Sequence, residues 1–249
     1  SAASDVYKRQ NIDRMGLDLL GTQNQLVQKI HETGVPTIVV LVGGRPLSVN
    51  WIAQNVQALV QAWEPGSLGG RALANILAGK VNPSAKLPIS IPRHSGQIQM
   101  IYNHKPSQYF HKYIDGPSTP LYPFGFGLSY TRFAYSSLKL SHTRISDKDS
   151  FTASIELTNV GDREGTEVVQ LYIRDIYSSA TRPVKELKDF ARVTLKPGEK
   201  KTVTFTVTPD KLAYWNRNMQ YGVEKGEFEI MIGSSSQDKD LKKVKMEVL

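Results

Sequence analysis

Two kinds of hydrophobic spacing divide this chain of 249 residues. As far as about Ala78 the apolar residues fall at helical intervals or in short unbroken runs, whereas from about Phe133 they alternate with polar ones. In the first part, TQNQLVQKIHET (Thr22–Thr33) places Leu26 and Ile30 on one face, with Val27 one residue off that stripe. This predicts an amphipathic helix capped by Thr22 and stopped by Gly34. VPTIVVLV (Val35–Val42) is a continuous β-branched run of strand length, the pattern of a strand covered on both faces in a parallel sheet. Gly43 and Gly44 then turn the chain, and Arg45 and Pro46 lead to a short helix near Ser48–Gln54. The unit repeats: VQALVQAW (Val56–Trp63) reads as a strand, EPGSLGG as a loop, and GGRALANILAG as a helix whose buried stripe is Ala72, Leu73, Ile76 and Leu77. Alternating helix and strand predict an α/β architecture with a mostly parallel sheet. KLPISIP (Lys86–Pro92) offers at most a third strand, where roughly five or six are usual. The pattern therefore predicts a partial α/β domain, truncated on its N-terminal side.

Between Pro92 and Tyr122 the sequence HSGQIQMIYNHKPSQYFHKYIDGPSTPLY has no clear period. A long aperiodic stretch of this kind is expected to be an interdomain strap, with Tyr102, Tyr109, Phe110 and Tyr113 pinning it onto a domain. Beyond it the alternation is strict. Phe151, Ala153, Ile155 and Leu157 share one parity, as do Val169, Leu171 and Ile173; Val203, Phe205 and Val207; Phe228, Ile230 and Ile232; and Val244, Met246 and Val248. NVGDREG, KPGEK and VEKGE separate these runs. The expectation is an all-β, immunoglobulin-like or fibronectin type III-like sandwich of roughly seven strands. The predicted partition is a non-native leader at 1–10, the α/β part at 11–93, the strap at 94–132 and the β domain at 133–249.

Composition removes several functions. With no cysteine there is neither a disulfide nor a thiolate nucleophile. No apolar run reaches the roughly 18 residues that span a bilayer, and Ser1–Gln10 lacks the apolar core of an export signal. The formal charge of +8 is spread along the chain, with local density in Lys239, Lys242, Lys243 and Lys245 near the end, where Lys242 and Lys243 flank the last predicted strand as lysines that protect an edge do. A solvated surface, and no nucleic-acid partner, is the expectation. His31, His94, His104, His111 and His142 lack the spacing of a zinc pair, and FGFGLSY has Tyr130 where a dinucleotide fingerprint wants its third glycine. Neither a metal nor an organic cofactor is expected. Asn82, in NPS, is no glycosylation acceptor because proline follows it.

Ligands of open α/β sheets gather at the carboxyl ends of strands, which here means GGRP and WEPGSLGG. Arg45, Trp63 and Glu64 are accordingly the candidate substrate-binding residues. The alternative is that Trp63 fills core and Arg45 anchors a loop.

Several long strings carry a resemblance: GVPTIVVLVGGRPLSV, ALVQAWEPGSLGGRALANILAGKVNPSAKLPISIPR, LYPFGFGLSYTRFAYSSLKL, TNVGDREGTEVVQLYIRD, RPVKELKDFARVTLKPGEKKTVTFTVT and WNRNMQYGVEKGEFEIMIGSSS. Together they resemble glycoside hydrolase family 3, the β-glucosidases and β-xylosidases, over Asp13 to about Ser236. The resemblance implies an N-terminal (β/α) barrel with an aspartate nucleophile, an α/β sandwich domain that supplies the acid/base carboxylate in many members, and a fibronectin type III-like domain. It further implies that this sequence starts inside the second domain and holds no catalytic residue of its own. The glutamate of a family GExxDR string falls here on Gln10, ahead of Asp13 and Arg14, and an amide does not transfer the proton that glycosidic cleavage needs. Asp13 itself reads as a loop anchor. DVYKRQ (Asp5–Gln10) is a direct translation of GATGTGTATAAGAGACAG, which resembles a transposon end, so Gln10 is read as foreign sequence. The implied function is that of a C-terminal fragment of a retaining β-glycosidase, itself inactive, whose parent acts on terminal β-linked glucose or xylose in oligosaccharides or aryl β-glycosides, in the periplasm or outside the cell. A noncatalytic carbohydrate-binding or adhesion module is the alternative.

Overall fold

The computed structural model describes residues 15–106 and 113–249. In the α/β part, helix α1 (Gln23–Glu32) precedes strand β1 (Ile38–Val42), and helix α2 (Asn50–Asn55) crosses to strand β2 (Ala58–Trp63), followed by helix α3 (Gly69–Leu77). β1 and β2 pair in parallel, with Ile38 opposite Ala58 and Val40 opposite Val60. Gly34, at φ +74°, stops α1 as its position demands, its N–H bonding the His31 carbonyl at 3.0 Å. Thr22 does occupy the N-cap position, but its side chain makes no capping bond. Its φ of −94° and ψ of 10° lie outside the extended conformation from which a hydroxyl reaches the first turn.

The core of this part is small. Leu41, Leu47, Val49 and Ile52 are buried, with Val27, Trp51 and Leu121 packed against them. The two predicted helix faces are open instead: Leu26 is 60% exposed, Ile30 41% and Leu77 44%, Ala72 is exposed, and Leu73 and Ile76 are only half-buried. Nor is β1 covered on both faces, since Ile38 and Val42 meet solvent. The reason is width, because among the described residues the sheet has two strands and so few neighbours to lie over it. KLPISIP does not widen it. Ile91 makes an isolated antiparallel bridge to Tyr122, and Leu87 exchanges backbone bonds of 2.8 Å with Phe126 and Gly125, so this stretch pairs with the end of the strap. Pro88 and Pro92 remove ladder donors that a central strand needs.

The alternating half forms the β-rich part. Its strands are β3 (Phe133–Tyr135), β4 (Lys139–Leu140), β5 (Arg144–Ile145), β6 (Phe151–Asn159), β7 (Gly165–Asp175), β8 (Glu186–Leu195), β9 (Lys200–Val207), β10 (Tyr214–Trp215), β11 (Tyr221–Gly222), β12 (Gly226–Gly233) and β13 (Leu241–Val248), with a single helical turn α4 (Pro209–Leu212) before β10. One sheet runs β5-β13-β12-β7-β8; in the other, β6 is flanked by β3, β4 and β9. Both contribute to one apolar cluster, and the five sets of alternating residues all belong to it. Period-two spacing thus becomes the side of each sheet that faces this shared core. Asn159 closes one end. Wholly buried, it accepts from Thr131 Oγ1 at 2.6 Å and donates to the carbonyls of Arg163 and Leu195 at 2.7 and 2.9 Å.

The strap covers the other face of the five-stranded sheet. Tyr102 stacks on Phe124 with centroids 4.1 Å apart and meets Tyr172 edge-on, above buried Met231 and Leu241. Tyr102 therefore pins the strap as expected, whereas Tyr113 is exposed and Tyr109 and Phe110 lie outside the described residues. Gln170 fixes the depth of this packing. Its Nε2 donates to Gly125 O at 3.1 Å and to Ser234 O at 2.7 Å, while its Oε1 accepts from the Tyr172 hydroxyl. A Cβ on Gly125 would lie 2.1 Å from Gln170 Oε1, and one on Gly127 2.2 Å from the Ala85 carbonyl oxygen. The glycines of FGFG thus serve close approach. Beside them Lys86 and Glu167, both nearly buried, pair at 2.8 Å, and Lys86 also donates to Gly127 O.

Beyond the end of β7, Arg182 lies 4.4 Å over the Tyr214 ring and pairs with Glu186, while Glu224 accepts from Ser179 N at 2.9 Å and Ser179 Oγ at 2.6 Å. Asp175 sits among them. Burial pushes its carboxyl up to about 6; Arg182 opposes the shift, and Glu224 and Glu186 add to it.

Two outcomes follow from this packing. Gly125→Ala is expected to cost about 2–4 kcal/mol, since its φ of +78° and the Gln170 contact both resist a Cβ, and Gln170→Leu about 1–3 kcal/mol for the carbonyls it strands. Calorimetric unfolding of the single and double variants should show the costs to be non-additive. For Asp175 the native state holds its proton more tightly than the unfolded chain, so ionisation disfavours folding above its native pKa and the penalty fades as pH falls through about 6 towards the ordinary carboxylate range. Asp175→Asn is expected to raise the unfolding temperature at about pH 7.5 and to leave it unchanged at about pH 3.5. An equal shift at both values would contradict the sign.

Candidate functional site

The site is the carboxyl edge of β1 and β2, and parallel pairing builds it. Because the two strands run the same way, their ends open on the same side, and GGRP follows one while WEPG follows the other. The register slips between Leu41 and Val42, so that Val42 faces Trp63 and Ala62 is left over. This bulge comes with Trp63 at φ +52°, a left-handed conformation uncommon for a bulky side chain. Strained backbone of this kind concentrates at binding sites, where surrounding structure enforces it. Here the enforcing contact is the Gly43 N–H, which donates to the Trp63 carbonyl at 2.9 Å. Gly43 itself has φ +150°.

A Cβ built on Gly44 would stand 3.7 Å from Glu64 Oε1, an ordinary contact distance, which places that carboxylate beside the turn. The exposed Glu64 carboxylate therefore leans over the glycine turn, next to half-buried Arg45 and Trp63. The edge is braced from below. Ser48 Oγ donates to the Pro92 carbonyl at 3.1 Å and Asn50 Nδ2 to the Arg93 carbonyl at 2.6 Å, which ties the GRPLSVN turn to the start of the strap. Gln97, buried, accepts from the Arg93 N–H at 2.7 Å and donates to the Pro117 carbonyl at 3.0 Å. Chemically, the loops at this edge carry an indole, a guanidinium and a carboxylate, a set that can stack on an apolar ring face and exchange hydrogen bonds with hydroxyls.

All three residues named from sequence thus meet at one edge. Gln10 and Asp13 lie outside the described residues. What sequence reasoning missed is the support: the bulge, the positive φ of Trp63 and the Asn50 and Ser48 bonds to the strap. A register shift leaves no mark in composition, but GG following a β-branched run was a visible signal for the turn. Among the described residues no three His, Asp or Glu side chains are grouped to hold a metal, and no helix is long and apolar enough to cross a membrane.

Comparison with known proteins gives two family matches. Residues 2–130 match the glycosyl hydrolase family 3 C-terminal domain, and residues 167–236 match a fibronectin type III-like domain. A β-xylosidase of Formosa agariphila is 47% identical over 239 residues, covering 95% of this chain and 33% of its own length. A periplasmic β-glucosidase of Salmonella typhimurium is 43% identical, with 90% and 30% covered. Among solved structures, a β-glucosidase from Erythrobacter marinus superposes with a TM-score of 0.91 at 43% identity, over 95% of this chain and 31% of that one. The chain spans about a third of the length of the relatives it matches.

Proposed function

The chain belongs to glycosyl hydrolase family 3, and from that premise we propose that it is the C-terminal part of a retaining β-glycosidase that removes terminal β-linked glucose or xylose. The observation that carries this reading is likeness along nearly the whole chain to a β-xylosidase and to β-glucosidases, at 43–47% identity. Retaining hydrolysis needs two carboxylates roughly 5 to 5.5 Å apart, one attacking the anomeric carbon and one moving the proton. In this reading the nucleophile stands on an N-terminal barrel domain, which is the chain's partner, and this chain supplies the wall that faces it. Trp63 presents its indole to the sugar ring, while Arg45 and Glu64 hydrogen-bond its hydroxyls. The substrate is an oligosaccharide or an aryl β-glycoside.

The open apolar faces of α1, β1 and α3 support a place for further strands of the α/β sandwich. The change of period and the shared core of the two sheets support a partition into residues 11–93, a strap at 94–132, and a fibronectin type III-like sandwich at 133–249. The name of the Salmonella relative supports a periplasmic or secreted location.

The test is to assay the whole reading frame and the 249-residue chain side by side on nitrophenyl β-glucoside and β-xyloside. The whole protein is expected to turn over one or both, and the chain alone neither. In the whole protein, Trp63→Ala and Arg45→Met should each lower kcat/KM by about tenfold or more. Turnover by the chain alone would refute the assignment of roles, and unchanged kinetics in both variants would remove the edge from the cleft.

A further inference from the structure

Beneath the strap, on the outer face of the five-stranded sheet, lies a cavity of about 640 Å³ that shares no lining residue with the β1–β2 edge. Its volume is within the ordinary range for small-molecule sites. Five cationic side chains line it, Arg93, Arg174, Lys185, Lys239 and Lys243, against two carboxylates, Glu229 and Asp238. Asp238 is already engaged, at 2.8 Å from Lys185 Nζ and 2.9 Å from Lys243 Nζ. Burial alone would push its carboxyl up, but the two ammonium groups outweigh burial and hold it at about 2, so it stays ionised and offsets part of their charge.

Arg174 is different. Glu229 stands directly opposite it in the β7–β12 register, yet that carboxylate turns to Lys243, 3.9 Å away. The half-buried Arg174 guanidinium has no ion pair or hydrogen bond among the described residues, and of the Arg93 guanidinium only the Nε–H donates there, to the Thr119 carbonyl at 3.0 Å. The Arg174 N–H donors are therefore open to a ligand that enters the cavity. Its planar fork matches a carboxylate or a phosphate, each of which accepts two parallel hydrogen bonds. The remaining walls combine the rings of Tyr102, Tyr122 and Phe126 with hydroxyls of Ser118 and Thr119, a lining suited to a body with both apolar and hydroxyl-bearing faces.

We propose that this cavity binds a small sugar-like molecule carrying one anionic group, with Arg174 and Arg93 on the anion and the aromatic wall against the ring. The site is separate from the substrate edge and does not depend on the catalytic reading. A sugar acid and a sugar phosphate share the chemistry, and the experiment distinguishes them.

Titration of the 249-residue chain with glucuronate, glucose 6-phosphate, glucose and inorganic phosphate, followed by calorimetry and by the methyl resonances of its methionines, tests the site. One or both anionic sugars should bind saturably, at least about tenfold tighter than glucose and than phosphate, and more weakly as salt rises from about 50 to about 300 mM. The resonances of Met100 and Met231, which line the cavity, should move, and that of exposed Met219 should not. Arg174→Met should weaken binding by about tenfold or more, and Arg174→Lys by less, because it keeps the charge and loses the fork. Should the Met variant fail to fold, the Lys variant and the methyl map decide alone. Equal affinity for glucose, phosphate binding as tightly as the sugars, shifts away from Met100 and Met231, or no binding at all would each overturn the proposal.

Discussion

The fold depends on how buried polar groups of β7 find partners beneath the strap. Gln170 is 3% exposed and has to satisfy an amide away from water. It does so with the carbonyls of Gly125 and Ser234, which belong to segments 45 and 64 residues distant. Lys86 meets the same demand by joining Glu167 and the Gly127 carbonyl. Apolar contact alone would let the strap slide over Tyr172 and Met231, because dispersion and burial have little direction. The hydrogen bonds do not permit that, and the FGFG glycines let the backbones approach closely enough to make them.

Position is transmitted from this junction to the candidate edge by backbone pairing. The strap's end, held on β7, bonds Leu87 and Ile91, and the residues just beyond Ile91 accept the hydrogen bonds of Ser48 and Asn50. The GGRP turn is therefore oriented by contacts that reach back to the β-rich half. An edge at the rim of two short strands needs such bracing to hold its shape, since a two-stranded sheet has little rigidity of its own. The third support is local: the Gly43–Trp63 bond holds the bulge, and the bulge aims Trp63.

The two halves differ in how complete their cores are. In the β-rich half, alternate residues from both sheets bury one another, and nearly every predicted core position is reached. The α/β half leaves the stripes of α1 and α3 in solvent and relies on a cluster of four buried residues. This imbalance accords with a chain spanning about a third of its relatives' length.

Sequence by itself determined which side of β6, β7, β9, β12 and β13 turns to the shared core, because a period of two is a local property, and NVGDREG and KPGEK marked two of the turns between strands with glycine or proline. It also determined where the candidate edge lies, since a β-branched run followed by GG marks a strand end wherever the chain goes next. Arg45, Trp63 and Glu64 were legible for that reason. Tertiary structure alone decided whether a predicted apolar face is covered, and it left Leu26 and Leu77 open while burying Tyr172 and Met231 on the face that alternation assigned to solvent. It alone decided that KLPISIP pairs with the strap, that Trp63 takes a left-handed φ, and that Glu229 turns from Arg174 to Lys243. Each of these outcomes depends on contacts between residues far apart in the chain, and a local pattern carries no record of which distant partner arrives.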